Sequence, residues 1–124
     1  MIKKIFITFL LFFCISASAV EKKTNFSIET LEKAKASGKT IVINSYEVWC
    51  GTCSKQTKIL DQAEKEFNEI LFFSYEQSKN KDIAQKLGIK YRTTIVVYKG
   101  NNEVSRIIGQ TDKATIYSTI KKGI

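Results

Sequence analysis

The amino-acid sequence predicts a single α/β domain with a central mixed β-sheet and helices on both faces. Three observations carry that expectation. Stretches with apolar residues at helical spacing alternate with short β-branched or aromatic runs. Glycine-bearing turns separate them at Gly38, Gly88 and Gly100-Asn101-Asn102. The chain of 124 residues is long enough for one domain with its own core, and it shows no repeat, low-complexity tract or internal linker.

The elements follow in order. Ser27 can cap a first helix that carries Ile28, Leu31, Ala34 and Lys35 before Gly38 stops it. Residues 40–46, β-branched and nearly uncharged, read as a buried strand. A second helix over residues 50–67 has Ile59, Leu60, Ala63 and Phe67 on its apolar stripe. Residues 70–75 form a second strand, and the long helix between the two makes a parallel βαβ unit. A short helix over 81–87 ends at Gly88. Strands over 94–98 and 103–108 flank the Gly100-Asn101-Asn102 turn as a hairpin. The last helix, over 112–122, carries Ile116, Tyr117 and Ile120, with Ala114 at the edge of its stripe.

The first residues stand apart from this pattern. Lys3 and Lys4 precede an apolar run over 5–15 that only Thr8 interrupts, and Ala17-Ser18-Ala19 supplies small residues after it. That order predicts a signal peptide over 1–19, cleaved between Ala19 and Val20, and a domain over 20–124. The expected location is periplasmic or secreted; the alternative is an uncleaved segment anchored in the inner membrane. The apolar run is short of the roughly 20 residues of a spanning helix. Cleavage would also remove Cys14, leaving Cys50 and Cys53 as one self-contained pair, as suits a compartment outside the reducing cytoplasm.

The net charge is +8, and all but two of the 20 basic residues, Arg92 and Arg106, are lysines scattered among acids. A nucleic-acid surface would favour arginine and a basic stripe with interleaved aromatics, so that class of partner is excluded. The charge reads as a solvated surface with a mild preference for acidic partners.

The chemistry concentrates at Trp49-Cys50-Gly51-Thr52-Cys53. Cysteines at this spacing can close a small disulfide ring. A strand runs into the motif and a helix leaves it, which puts Cys50 where unpaired N–H groups and the helix dipole favour a thiolate. The thiolate is the reactive form, so the motif reads as redox chemistry.

This element order, with the motif between the first long strand and the second helix, resembles thioredoxin. Residues 41–50 look like that family's central strand and active-site approach. Gly88-Ile89-Lys90 with residues 93–99 looks like the segment facing the active site, and Gly109 matches a glycine before the last helix. The resemblance implies a thioredoxin-like three-layer fold. It also implies that Cys50 attacks, partly exposed at the helix start, and that Cys53 resolves the mixed disulfide. Trp49 would shield the thiol, and Gly51 would let the backbone turn into the helix. Tyr46, Glu47 and Arg92 are expected to edge the site.

Three positions depart from the family. Asn44 stands where thioredoxins carry a buried carboxylate, and Asn cannot take a proton near neutral pH. With no histidine in the chain, Cys53 would lose its proton to water, to the partner thiolate or to a neighbour such as Glu47. Thr93 stands at the family's cis-proline, in a chain without any proline. Thr52 replaces the proline common between the cysteines.

The expected function is an exported thiol–disulfide oxidoreductase acting on protein thiols and disulfides of the envelope. It would work without a cofactor and as a monomer. The module lacks room for the insertions of envelope oxidases, which favours reductase or general exchange, with electrons from a membrane thiol carrier. Two alternatives remain: a soft-metal or iron–sulfur site on the same cysteine pair, and a purely structural disulfide.

Overall fold

A computed structural model describes residues 26–124. The expected signal peptide, its cleavage point after Ala19 and Cys14 lie outside the described residues. Strands β1 (Thr40–Tyr46), β2 (Leu71–Glu76), β3 (Thr94–Lys99) and β4 (Asn102–Ile108) form one sheet in the order β2-β1-β3-β4. β1 and β2 run parallel, with Ile43 opposite Phe73. β3 is antiparallel to β1 and to β4, and a register shift interrupts the hairpin at Val97/Tyr98. The sheet is therefore mixed, as the sequence predicts.

Side-chain alternation along the strands sorts the core into two layers. Ile41, Ile43, Phe73, Tyr75, Val96 and Tyr98 face helices α1 (Ile28–Ala36) and α3 (Lys81–Leu87), meeting Leu31, Ala34, Ile83, Ala84 and Leu87. Val42, Phe72, Ile95 and Val97 face α2 (Gly51–Glu66) and α4 (Lys113–Lys121), meeting Leu60, Ala63, Ile116 and Ile120. Helices thus cover both faces. Phe26, just before α1, stacks on Phe73 with ring centroids 4.6 Å apart and closes the first layer.

Local chemistry sets the helix ends. Ser27 Oγ accepts the Thr30 N–H and starts α1, and Asp112 Oδ2 accepts the Thr115 N–H at 2.9 Å and starts α4. Gly88, at φ +67°, takes the left-handed conformation that terminates α3. Several details differ from the sequence reading, and in the hairpin β3 reaches Lys99 while Asn102, expected in the turn, begins β4. Ala114 is exposed and Thr119 is buried in α4 instead, and β2 lies one residue further along than expected, because Ile70 closes a turn onto Phe67 before pairing begins. Among the described residues no helix is long and apolar enough to cross a membrane.

β1 is the central strand, buried along nearly its whole length. Its C-terminal end delivers the chain to the start of α2. The loops before β3 and after β4 come to the same edge, and the cysteines sit there.

Candidate active site

The chain leaves β1 through a turn closed by the Cys50 N–H to the Glu47 carbonyl at 3.2 Å. Cys50 is the N-cap of α2, in extended conformation, and Gly51 is the first helical residue. The Cys53 N–H donates to Cys50 Sγ at 3.1 Å. An oxygen usually fills this capping role; here the sulfur takes it. No acidic residue lies in the first turn of α2, so nothing cancels the positive end of the helix beside that sulfur. Cys50 and Cys53 form a disulfide with their Cα atoms 5.2 Å apart.

Cys53 is 2% exposed and Cys50 8% exposed. Cys50 is thus more covered than the resemblance predicts. Its exposed part opens into a shallow groove lined by Cys50, Thr52, Tyr91, Arg92, Thr93, Ile108 and Gly109. An extended chain laid along this groove meets Cys50 and not Cys53.

The wall opposite Cys50 is held by a network that needs no proline. Thr93 adopts φ +67°, a region that β-branched residues rarely enter and that costs about 1–3 kcal/mol. Its N–H, which a proline would lack, donates to the Ser45 carbonyl at 2.7 Å. Its carbonyl accepts from the Gly109 N–H at 2.9 Å and from Gln56 Nε2 at 3.0 Å, and its hydroxyl donates to the Arg92 carbonyl. Ser45 Oγ and Thr94 Oγ1 both donate to the Tyr91 carbonyl. These bonds over-determine the loop and hold the strained residue in place.

Gln56 is the residue the sequence reading missed. It is completely buried on α2 and joins three segments. Its Nε2 donates to the Thr93 carbonyl and to the Gln110 carbonyl at 2.7 Å. Both amide protons are then used, so Oε1 must be the atom that accepts from Asn44 Nδ2 at 3.1 Å. This orientation leaves Asn44 Oδ1 buried without a partner. Asn44 is therefore a buried amide one step from the groove wall, not a proton acceptor. The signal for Gln56 was present, since it falls on the same helical face as Cys53, Leu60 and Ala63. A polar residue there has to be buried with partners.

Three expectations at the rim change. Glu47 is buried, but its carboxylate turns away from the cysteines, accepting the Ser78 N–H at 2.7 Å and the Ser78 hydroxyl at 3.0 Å. A buried carboxylate needs donors, and the loop after β2 supplies them, so Glu47 does not serve as a base for Cys53. Trp49 is 68% exposed, and its ring partner is the Arg92 guanidinium, 4.4 Å from the ring centroid. Its ring stands exposed at the border of the site, packed on Arg92. Gly51 has no positive φ, and a Cβ there would meet nothing within 4 Å; neither conformation nor space demands glycine. Tyr46 is half-buried at the end of β1, and burial, with the charges of Glu76 and Glu47, raises its pKa.

The metal alternative finds no support. The cysteines are joined to each other, and among the described residues no group of three or more His, Cys, Asp or Glu side chains could hold an ion.

A family model described as Thioredoxin matches residues 17–122. The chain belongs to the thioredoxin family. Among curated relatives, a thioredoxin H-type of Fagopyrum esculentum is 36% identical over 81 residues, covering 65% of this chain and 70% of that protein. Thioredoxin-2 of Saccharomyces cerevisiae is 28% identical over 89 residues, covering 71% and 86%. Of solved structures, the thioredoxin of Fasciola hepatica superposes with a TM-score of 0.69 at 26% identity, covering 78% of this chain and 91% of that one. Trxlp from Edwardsiella tarda reaches 0.74 at 23% identity, covering 77% and 94%, which is a likeness of fold. The chain is accordingly a thioredoxin-family thiol–disulfide oxidoreductase with a redox-active cysteine pair, acting on protein thiols and disulfides. In this chain, Asn44, Gln56 and Thr93 together build the wall opposite Cys50.

Proposed function

We propose that the chain is an exported oxidoreductase that reduces or exchanges disulfides in envelope proteins, with Cys50 attacking and Cys53 resolving. In the reducing direction the Cys50 thiolate attacks one sulfur of a substrate disulfide. That S–S bond breaks, a mixed disulfide forms, and the other substrate sulfur leaves as a thiolate. The Cys53 thiolate then attacks Cys50 Sγ and displaces the second substrate sulfur. The substrate gains two electrons and two protons, and the Cys50–Cys53 disulfide is the product. A two-electron thiol donor restores the dithiol; outside the cytoplasm that partner is a membrane thiol carrier. The domain works as a monomer, without a nucleic-acid partner.

The observation that carries this reading is the Cys53 N–H aimed at Cys50 Sγ on the floor of an open groove. Export is supported by the order of basic, apolar and small residues over 1–19, read as a signal peptide cut after Ala19 to leave the protein periplasmic or secreted. An uncut segment would instead hold the same domain at the inner membrane.

Reduction of insulin disulfides by dithiothreitol tests the activity. Wild type accelerates it, Cys50→Ser abolishes the acceleration, and Cys53→Ser traps mixed disulfides. Equal rates for wild type and Cys50→Ser would overturn the assignment. Intact mass of the protein recovered from the producing cells tests export: a chain beginning at Val20 is expected, and an intact start in the cytosolic fraction contradicts it.

A further inference from the structure

We propose that Arg92 selects protein disulfides flanked by a carboxylate, and that Trp49 holds the guanidinium ready for it. This selectivity deepens the reductase reading and rests on it.

The two arginines of the chain have different fates. Arg106 is committed: its guanidinium binds Glu103 through Nε at 2.8 Å and donates to the Leu87 and Gly88 carbonyls. Arg92 stands on the wall of the groove that contains Cys50, and among the described residues it takes part in no ion pair. Its neighbour is the Trp49 ring, over which the guanidinium sits at 4.4 Å. Stacking on an indole orients a guanidinium without using up its N–H donors, so the fork stays available for a carboxylate and loses little freedom on binding one.

The groove offers no competitor for that charge. No Asp or Glu lines it. The acids nearest in sequence to its walls are engaged elsewhere: Glu47 with Ser78, Glu103 with Arg106 and Asp112 with Thr115. On its lining, Tyr91 and Ile108 are large, hydrophobic and exposed. A matching partner is an extended segment that brings apolar side chains to this rim and an Asp or Glu next to its disulfide cysteine. A packing role alone would account for Arg92 stacking on Trp49. It would not account for an acid-free groove around a cation whose donors are unused.

The test compares three oxidised peptides, identical except for Glu, Gln or Lys beside one cysteine of the disulfide. Their reduction by the protein is measured as kcat/KM for wild type, Arg92→Gln, Arg92→Glu and Trp49→Ala. Only the ratio between peptides within one variant is read, so a general loss of activity does not enter. Wild type is expected to favour Glu over Lys by about two- to fivefold, the size of an exposed ion pair. That ratio should fall toward one at about 1 M salt, where the screening length is about 3 Å. Arg92→Gln brings the ratio near one, Arg92→Glu reverses it, and Trp49→Ala lowers it while keeping its sign. A wild type that reduces all three peptides equally, or a preference that survives Arg92→Glu, overturns the selectivity and leaves the reductase reading intact. A wild type that reduces none of them overturns the reductase reading, and the selectivity falls with it.

Discussion

Gln56→Leu removes the side chain that ties α2 to β1 and to both loops of the groove wall. Three hydrogen bonds go with it, but their losses are unequal. The Thr93 carbonyl keeps the Gly109 N–H, and the Gln110 carbonyl belongs to an exposed residue that water can reach. Asn44 suffers most, since its Nδ2 is left with only the Ser45 carbonyl at 3.5 Å and its Oδ1 is already unpartnered. A stranded buried polar group costs about 1–3 kcal/mol. Leucine recovers part of this through apolar contact, so a net loss of about 2 kcal/mol is expected. Urea unfolding of the oxidised protein, followed by far-UV circular dichroism, gives the number. The decisive comparison is the cycle with Asn44→Val. Once Asn44 is apolar, Gln56→Leu strands no partner on β1, so the double variant should be more stable than the sum of single losses by about 1 kcal/mol or more. A Gln56→Leu protein as stable as wild type, or strictly additive losses, would show that the buried amide pair does not act as described.

Asn44→Asp puts a carboxylate on β1 beside Gln56, at the position where the family carries one. It should speed release of substrate from the mixed disulfide, seen as faster turnover of a model disulfide, and an unchanged rate would count against a proton-transfer bottleneck. Burial beside Gln56 Oε1 should raise the new carboxyl's pKa. A raised folded pKa means stability that is fully present below the unfolded value near ~3.9 and lost as pH climbs through the folded value. The variant should therefore melt lower relative to wild type at pH 8 than at pH 4. Gly51→Ala should leave thermal stability equal or higher, since a Cβ meets nothing there; a lower melting temperature would show a constraint the geometry lacks. Tyr75 lies in the core, where burial pushes its hydroxyl up to about 12, beyond what the nearby Ser45 hydroxyl and the Arg106 charge pull back. Its contribution is present below the ordinary value of 10.0 and is lost between there and about 12. Tyr75→Phe should then lose less stability than wild type between pH 8 and pH 11, and identical losses would remove Tyr75 as a cause.

The parts of the fold that were legible in the sequence are those where one local signal dominates. The β-branched run 40–46 became β1 with the same bounds, and α3 over Lys81–Leu87 ended at Gly88 because only a left-handed residue closes it there. Cys50 at a helix start was readable from the strand-to-helix switch around it. The misses share a physical cause, which is long-range partnering. Glu47 sits beside the motif in sequence, yet Ser78, thirty-one residues on, supplies the donors that turn it away. Gln56 was hidden by its polarity, because its burial depends on carbonyls from two distant loops and on Asn44. Thr93 could be matched to the family's proline position. Its left-handed backbone could not be foreseen, since that geometry is held by Ser45, Gly109 and Gln56 together.

The acidity of Cys50 in the reduced protein tests the mechanism most directly. Alkylation with iodoacetamide across pH 4 to 10, with each cysteine identified by mass spectrometry, gives a rate profile for each sulfur. The helix-start amide aimed at Cys50 Sγ predicts that Cys50 reacts first and with a midpoint clearly below the ~8.5 of an ordinary thiol, while buried Cys53 stays slow. A Cys50 midpoint at or above the ordinary value, or Cys53 reacting ahead of it, would contradict the account.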